Sequence, residues 1–284
     1  MDLQQFYTQH RYSEHLVNNL AIDSPKNAFD LGFGEGDLLL ATKRRWATIN
    51  LIGADIDEKN ISVAHLNKQI DAFELDGFRP DLPDIISKKY GEIDLLVSNP
   101  PYFTCDLNLN ISSVLTEAGL SRCVSQTSKK IPAELVFLAQ NLRLLTKRGE
   151  LGIILPAGLI SGERWREVRE LLFSEYNVEK VIQLPTSSFT KTDAQTFILI
   201  ITRKKGTGST ILSHVDYDEE FTINYSQASD RADYTFYSQQ KNRYLDYQLS
   251  DSDFSVFRGS LTHDQLKVST EHYIHTCLLY TSPS

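Results

Sequence analysis

No stretch of this 284-residue chain approaches the ~20 consecutive apolar residues that a membrane-crossing helix needs. Its first twenty residues also lack the basic start, apolar core and small-residue cleavage site of a secretory leader. These absences lead us to expect a cytoplasmic protein with no membrane partner. Cysteine is scarce: Cys105, Cys123 and Cys277 are the three present. None belongs to a Cys-x-x-Cys pair, and no histidine cluster has zinc-ligand spacing. A disulfide framework and a structural metal are therefore not expected. An excess of positive charge is missing as well, the formal net charge being -8. That balance argues against a nucleic-acid partner, but its distribution softens the objection. From Gly206 onward there are 11 acidic and 5 basic residues, a net of -6, which leaves -2 for residues 1–205. A near-neutral domain can still carry a basic cleft.

Hydrophobic residues make up 41% and charged residues 23%, ordinary values for a globular protein. Residues 27–203 alternate strand-like and helix-like segments. Short apolar runs at 27–31, 50–55, 93–98, 151–155, 178–184 and 196–203 predict strands. Segments 38–46, 58–70, 133–147 and 163–173 predict helices. In the third of these, Leu135, Leu138, Leu142 and Leu145 recur at helical spacing between Pro132 and Gly149. Such alternation predicts an α/β fold, an open and mostly parallel sheet with helices on both faces. Ligands in such sheets bind beyond the carboxyl ends of the strands. Residues 103–131, rich in Ser, Thr and Asn, read as a long loop directly after a strand, a common location for function.

Two constellations carry chemistry. The first is Phe29-Asp30-Leu31-Gly32-Phe33-Gly34-Glu35-Gly36, between a strand and a helix. Its alternating glycines let the backbone turn sharply and approach a ligand without Cβ clashes. Asp55 ends the next strand, where an acid can accept hydrogen bonds from a ribose diol. The Gly-x-Gly-x-Gly spacing departs from the dinucleotide pattern, so S-adenosylmethionine is expected rather than NAD. A plain glycine turn in another α/β protein is the alternative. The second constellation is Asn99-Pro100-Pro101-Tyr102, directly after the strand at 93–98. Proline cannot continue a central strand, so the chain must leave the sheet there. The Asn99 side-chain oxygen and the Pro100 carbonyl can accept the two N–H groups of an aromatic amine. That favours sp³ character at a nitrogen whose lone pair is otherwise delocalised. Tyr102 can stack on a base flipped out of a duplex.

Together these residues resemble the Asn-Pro-Pro-Tyr amino-methyltransferases of DNA, in the order where the cofactor motif precedes the catalytic motif. The resemblance spans roughly residues 5–205. It implies a Rossmann-like class I methyltransferase fold: a mostly parallel seven-stranded sheet with helices on both faces, plus a C-terminal extension. It assigns Asp30, Gly32, Gly34 and Gly36 to the methionine end of S-adenosylmethionine and Asp55 to its ribose. Asp76, in Leu75-Asp76-Gly77-Phe78, matches the acid near the cofactor's adenine. Tyr7 and Thr8 match an N-terminal cofactor motif that usually continues with Pro, where this chain has Gln9. Asn99, Pro100, Pro101 and Tyr102 match the catalytic tetrapeptide. Phe189 resembles the residue that packs on the flipped adenine, although an ordinary core phenylalanine fits equally well. Lys129 and Lys130 could meet phosphates or be plain surface lysines.

The implied activity is methylation of the exocyclic amine of adenine in double-stranded DNA, in a restriction-modification setting with an associated endonuclease or specificity subunit. Methylation of an RNA base or a protein glutamine is the enzymatic alternative, and a non-catalytic DNA-binding subunit the other. By this reading residues 1–205 form the catalytic domain. Residues 206–249 form an acidic, aromatic-rich linker or extension. Residues 250–276 resemble the opening of a target recognition domain. Residues 277–284 resemble the translation of a sequencing adapter, which predicts that the natural chain is cut mid-domain.

Overall fold

A computed structural model describes residues 10–125, 127–185, 195–203, 209–224, 246–248 and 255–257. The first compact unit spans Met1–Phe236. Its strands are β1 (Asn27–Leu31), β2 (Asn50–Asp55), β3 (Ile70–Glu74), β4 (Leu95–Ser98), β5 (Thr104–Asp106), β6 (Lys130–Pro132), β7 (Glu150–Pro156), β8 (Asn177–Gln183), β9 (Thr196–Thr202), β10 (Ser209–His214) and β11 (Tyr217–Asn224). Its helices are α1 (His10–Asn18), α2 (Asp37–Arg45), α3 (Glu58–Asn67), α4 (Leu82–Tyr90), α5 (Leu109–Glu117), α6 (Ala133–Leu144), α7 (Ala157–Ser161) and α8 (Arg166–Glu175). The second unit, Tyr237–Ser284, contains an antiparallel pair, β12 (Asp246–Gln248) with β13 (Ser255–Phe257).

The α/β architecture agrees with the alternation in the sequence, but the strand number needs correction. The sheet has nine strands, in the order β11-β10-β8-β9-β7-β4-β1-β2-β3, not seven. Seven of them lie between residues 27 and 202: six at the apolar runs, and β3, which the sequence did not reveal. The other two, β10 and β11, come from the stretch read as linker and acidic extension. There β10 adds in parallel to β8, and β11 folds back on β10. The acidic composition of 216–220 hid this hairpin. Main-chain hydrogen bonding, which is blind to side-chain charge, puts it on the sheet edge. The loop expected at 103–131 is likewise built of elements. β5 pairs with β6, and Asn108 caps α5 by accepting from the Ile111 N–H at 3.0 Å. Ile111, Val114 and Leu115 give that helix a buried face.

Chain direction fixes the site. β1 pairs in parallel with β2 on one side and β4 on the other. The connections through α2 and α3 run one way along the sheet, and the connection through α4 crosses back to β4. Since parallel crossovers are right-handed, α2 and α3 cover one face and α4 the other. Ala28, Leu51, Leu95, Val97 and Ile154 form the first core with Leu16 and Val17 of α1 and Leu38 and Leu39 of α2. The crossing direction changes between β1 and β4, which opens a crevice beyond their carboxyl ends.

α1 is locked onto β7 through a glycine. A Cβ added at Gly152 would lie 2.6 Å from Leu16 Cδ2, so the helix approaches closer than any side chain permits. Glu150 holds the chain just after α1 by accepting the Ala21 and Ile22 N–H groups at 2.9 and 2.8 Å. Leu16 is completely buried. Leu16→Ala is expected to cost about 2–5 kcal/mol of stability, the range for leucine truncation in a packed core, measured by urea unfolding. A loss under about 0.5 kcal/mol would mean that α1 does not pack on β7.

Candidate active site

The β1–α2 turn is made of left-handed glycines. Gly32, Gly34 and Gly36 have φ of 74°, 56° and 85°, conformations that cost other residues dearly. Gly32 also needs its missing side chain, since an added Cβ would sit 3.0 Å from Phe137 Cε1. The turn is tied to β2 at two levels. The Gly32 N–H donates to Ala54 O at 2.6 Å, and the Gly34 N–H donates to Asp55 Oδ2 at 2.9 Å. Asp55 is 5% exposed. Its carboxylate also accepts from the Asp57 N–H at 2.8 Å and from Asn60 Nδ2 at 3.1 Å.

Asp30, in register with Gly53 on β2, lies in the interior. Its Oδ1 has no hydrogen-bond partner among the described residues. Burial, and then the neighbouring Asp55 charge, hold its carboxyl well above the usual range. Asp76 lies one strand further along. The Leu75 N–H donates to Asp55 O at 2.9 Å, so β3 delivers residues 75–78 beside the end of β2. Asp76 itself is exposed and accepts from the Phe78 N–H at 2.9 Å. α6 holds this turn from below: Gln140 Nε2 donates to Gly77 O and Arg79 O, both at 2.8 Å. Phe137 is wedged against both Gly32 and Gly77 and meets Phe78 edge-on at 6.2 Å.

Asn99-Pro100-Pro101-Tyr102 leaves the end of β4, the strand next to β1. Asn99 is half-buried and Pro100 buried. Tyr102 is half-buried, and its hydroxyl donates to Asn99 Oδ1 at 2.9 Å and to Ile154 O at 3.3 Å. Burial and the nearby Glu134 raise the Tyr102 hydroxyl far above its ordinary pKa. Glu134, in the first turn of α6, is itself pushed up to about 7 by burial.

The glycine loop, Asp55, Asp76 and Asn99–Tyr102 thus share the carboxyl edge of four adjacent strands. Tyr7, Thr8 and Phe189 lie outside the described residues. Lys130, an exposed residue, forms a 3.9 Å ion pair with exposed Asp106 across the β5–β6 hairpin. Several residues beside the site were not read from the sequence. Ile56 follows Asp55 and is 52% exposed, unusual for isoleucine. Phe78, Phe137, Gln140 and Glu134 complete the floor. An apolar residue directly after the strand-end acid was the available signal for Ile56. Phe137 and Gln140 fall off the leucine stripe of their helix, so periodicity passed over them.

The pattern recurs in known proteins. The chain is 23% identical over 237 residues to the methylase subunit of the type I restriction enzyme MpnII of Mycoplasma pneumoniae, covering 76% of this chain and 43% of that protein. It is 29% identical over 157 residues to a tRNA1(Val) (adenine(37)-N6)-methyltransferase of Glaesserella parasuis, covering 54% and 61%. The structure superimposes on the methyltransferase subunit of a type I restriction-modification system from Streptococcus thermophilus with a TM-score of 0.66 and 18% identity, covering 80% of this chain and 57% of that one. The chain therefore spans about half the length of the type I subunits it matches. The sequence model of the N-6 DNA methylase family matches residues 2–274, nearly the whole chain, and the protein belongs to that family.

Proposed function

We propose that the chain transfers a methyl group from S-adenosylmethionine to the exocyclic amine of a flipped-out adenine in double-stranded DNA. The observation that carries this reading is the placement of Asn99 and the Pro100 carbonyl at the end of β4, beside the glycine loop at the end of β1.

The residues present fit the cofactor. The left-handed glycines leave a cradle that Cβ atoms would fill. Asp30 Oδ1, orphaned inside the loop, offers a carboxylate to the ammonium group of the methionine moiety. Asp55 Oδ1 accepts from the Asp57 N–H and retains acceptor capacity for a ribose hydroxyl. Ile56 and Phe78 supply apolar surface for the cofactor's adenine, and Asp76 an acceptor for its amino group. When bound there, S-adenosylmethionine supplies an electrophilic methyl carbon on a sulfonium centre.

The chain's own work lies at the target amine. Asn99 Oδ1 already accepts from Tyr102, and an sp² oxygen has a second lone pair. It takes one amine N–H while the Pro100 carbonyl takes the other. Pulling both protons out of the ring plane frees the nitrogen lone pair. Tyr102 stacks on the base and offsets some of the cost of unstacking it. The DNA target is supported by the type I and type II modification enzymes among the relatives. A restriction endonuclease or specificity subunit is the partner those relatives' names suggest. RNA adenine is the second reading, favoured by the tRNA-methylating relative; it uses the same atoms.

Three outcomes are expected. Asp55→Ala should weaken S-adenosylmethionine binding by about 1.5–3 kcal/mol in calorimetry, the worth of charge-assisted hydrogen bonds. Unchanged affinity would remove Asp55 from the site. Asn99→Ala should abolish turnover while cofactor affinity stays near native, and Tyr102→Ala should weaken binding of the flipped base by about 1–3 kcal/mol. Near-normal methylation by the Asn99 variant would contradict the assignment.

Asp30→Asn should stabilise the cofactor-free protein while weakening cofactor binding. The native carboxyl titrates well above the unfolded one. Between the two pKa values the unfolded state releases a proton that the folded state keeps, so native stability falls as pH rises. Asparagine has no such penalty. Its advantage in thermal unfolding should grow from pH 5 to pH 8, and equal melting at both pH values would refute the account of Asp30.

A further inference from the structure

A fully buried amide costs the fold unless its polar atoms find partners. Gln140 on α6 is 0% exposed, and its donors and acceptor are all engaged. Its Nε2 donates to Gly77 O and to Arg79 O, both at 2.8 Å. Its Oε1 accepts from Arg143 Nη1 at 2.6 Å. These partners fix which way the amide points. A guanidinium can only donate and a main-chain carbonyl can only accept, so Oε1 must face Arg143 and Nε2 must face the turn. Arg143 is anchored in its own right, because Nη2 donates to Pro80 O at 2.7 Å and pairs with Glu117 at the end of α5.

The turn held in this way reaches outward. Its Arg79 N–H donates to Asp76 O at 3.2 Å, and its Phe78 N–H donates to Asp76 Oδ1 at 2.9 Å. Asp76 and Arg79 are exposed while Gly77 is buried. A Cβ added at Gly77 would lie 2.9 Å from Phe137 Cζ, and one added at Gly32 would lie 3.0 Å from Phe137 Cε1. The turn and the glycine loop therefore rest on the same ring. Hydrogen bonds within residues 76–79 give the turn its shape. The Gln140 amide sets where that shape stands relative to α6, and so relative to the glycine loop.

We infer that Gln140 is a positioning residue for the cofactor's adenine, acting through the turn at 76–79, and that it sets the preference for a 6-amino purine there. The inference rests on the role proposed above for Asp76. The Asp76 carboxylate accepts from Phe78 N–H and retains capacity for a ligand's amino group. That capacity discriminates only while the carboxylate stands at hydrogen-bond distance, since the interaction weakens steeply with poor geometry. Without the Gln140 donors, the Gly77 and Arg79 carbonyls would be left unpaired against α6. Carbonyls in that position turn toward water, and they would carry Asp76 with them. A 6-oxo purine sets an acceptor against the same carboxylate, and a site built to accept from a donor rejects it.

The test is calorimetry of the full chain with S-adenosylhomocysteine and with S-inosylhomocysteine, in which an oxo group replaces the purine amino group. The native protein should prefer the amino compound by about tenfold or more. In Gln140→Met, which keeps the length of the side chain, S-adenosylhomocysteine should bind about tenfold more weakly. Binding of S-inosylhomocysteine should hardly change, so the preference collapses. An equal loss for both compounds, or an unchanged preference, would show that Gln140 serves packing alone and would overturn the inference. Gln140→Glu is isosteric and puts a carboxylate oxygen where the donor stood. It should erase the preference in the same way, and it keeps the test decisive if the methionine variant does not fold. A native chain that binds both compounds equally removes Asp76 from the adenine and the inference with it. One that binds neither overturns the cofactor reading as well.

Discussion

The Asp55 carboxylate is the knot of this structure. A buried carboxylate is tolerated where donors surround it, and here three do: the Gly34 N–H, the Asp57 N–H and the Asn60 amide. Each donor comes from a different part of the local chain. One belongs to the loop after β1, one to the turn after β2, and one to the first turn of α3. A single side chain thereby fixes the shape of the glycine loop, the exit of β2 and the start of α3. The end of β3 joins through the Leu75 N–H on the Asp55 carbonyl. Removing this group loosens the whole carboxyl edge where the ligand crevice opens, so cofactor affinity and local order are linked.

Around that knot the protein keeps polar groups in poor surroundings. Ser13, Asp30, Ser98, Glu134, Asn141 and Thr196 each have a buried oxygen without a hydrogen-bond partner among the described residues. Asp30 and Ser98 sit at the carboxyl ends of β1 and β4. Thr196 begins antiparallel β9, which places it at the same edge of the sheet. Each such group costs the fold of order 1–3 kcal/mol. The three at the carboxyl edge, Asp30, Ser98 and Thr196, fit a site whose donors and acceptors await partners, with stability given up in advance for pre-organised binding. The leucine-rich helix α6 and the close α1–β7 packing supply compensating burial elsewhere.

Much of this was legible in the sequence, for identifiable reasons. The glycine loop, Asp55 and the Asn-Pro-Pro-Tyr turn depend on backbone conformation, which glycine and proline announce directly. Six of the seven strands between residues 27 and 202 are short apolar runs bounded by turn residues; β3, with Asp71 and Glu74 among its five residues, is not and was missed. What escaped the sequence depends on long-range packing. Strands β10 and β11 carry Asp218, Glu219 and Glu220, so an edge hairpin looked like an acidic linker. β5, α5 and β6 hid within a stretch rich in Ser, Thr and Asn, because their burial comes from long-range packing. Phe137 fills the space that Gly32 and Gly77 leave open. Glu134, in the first turn of α6, was not read from the sequence, because no local pattern marks its burial.

The central claim is that the edge built by β4, β1, β2 and β3 presents one methyl group to one kind of nitrogen, the exocyclic amine of adenine in DNA. The most direct measurement incubates the full chain with methyl-labelled S-adenosylmethionine and, in parallel, unmethylated double-stranded DNA, tRNA and total protein. Each product is then digested and its modified components identified by mass spectrometry. The account predicts label in N6-methyladenine from the DNA. Label confined to RNA nucleosides or to glutamine, or DNA labelled at cytosine instead of adenine, would contradict it.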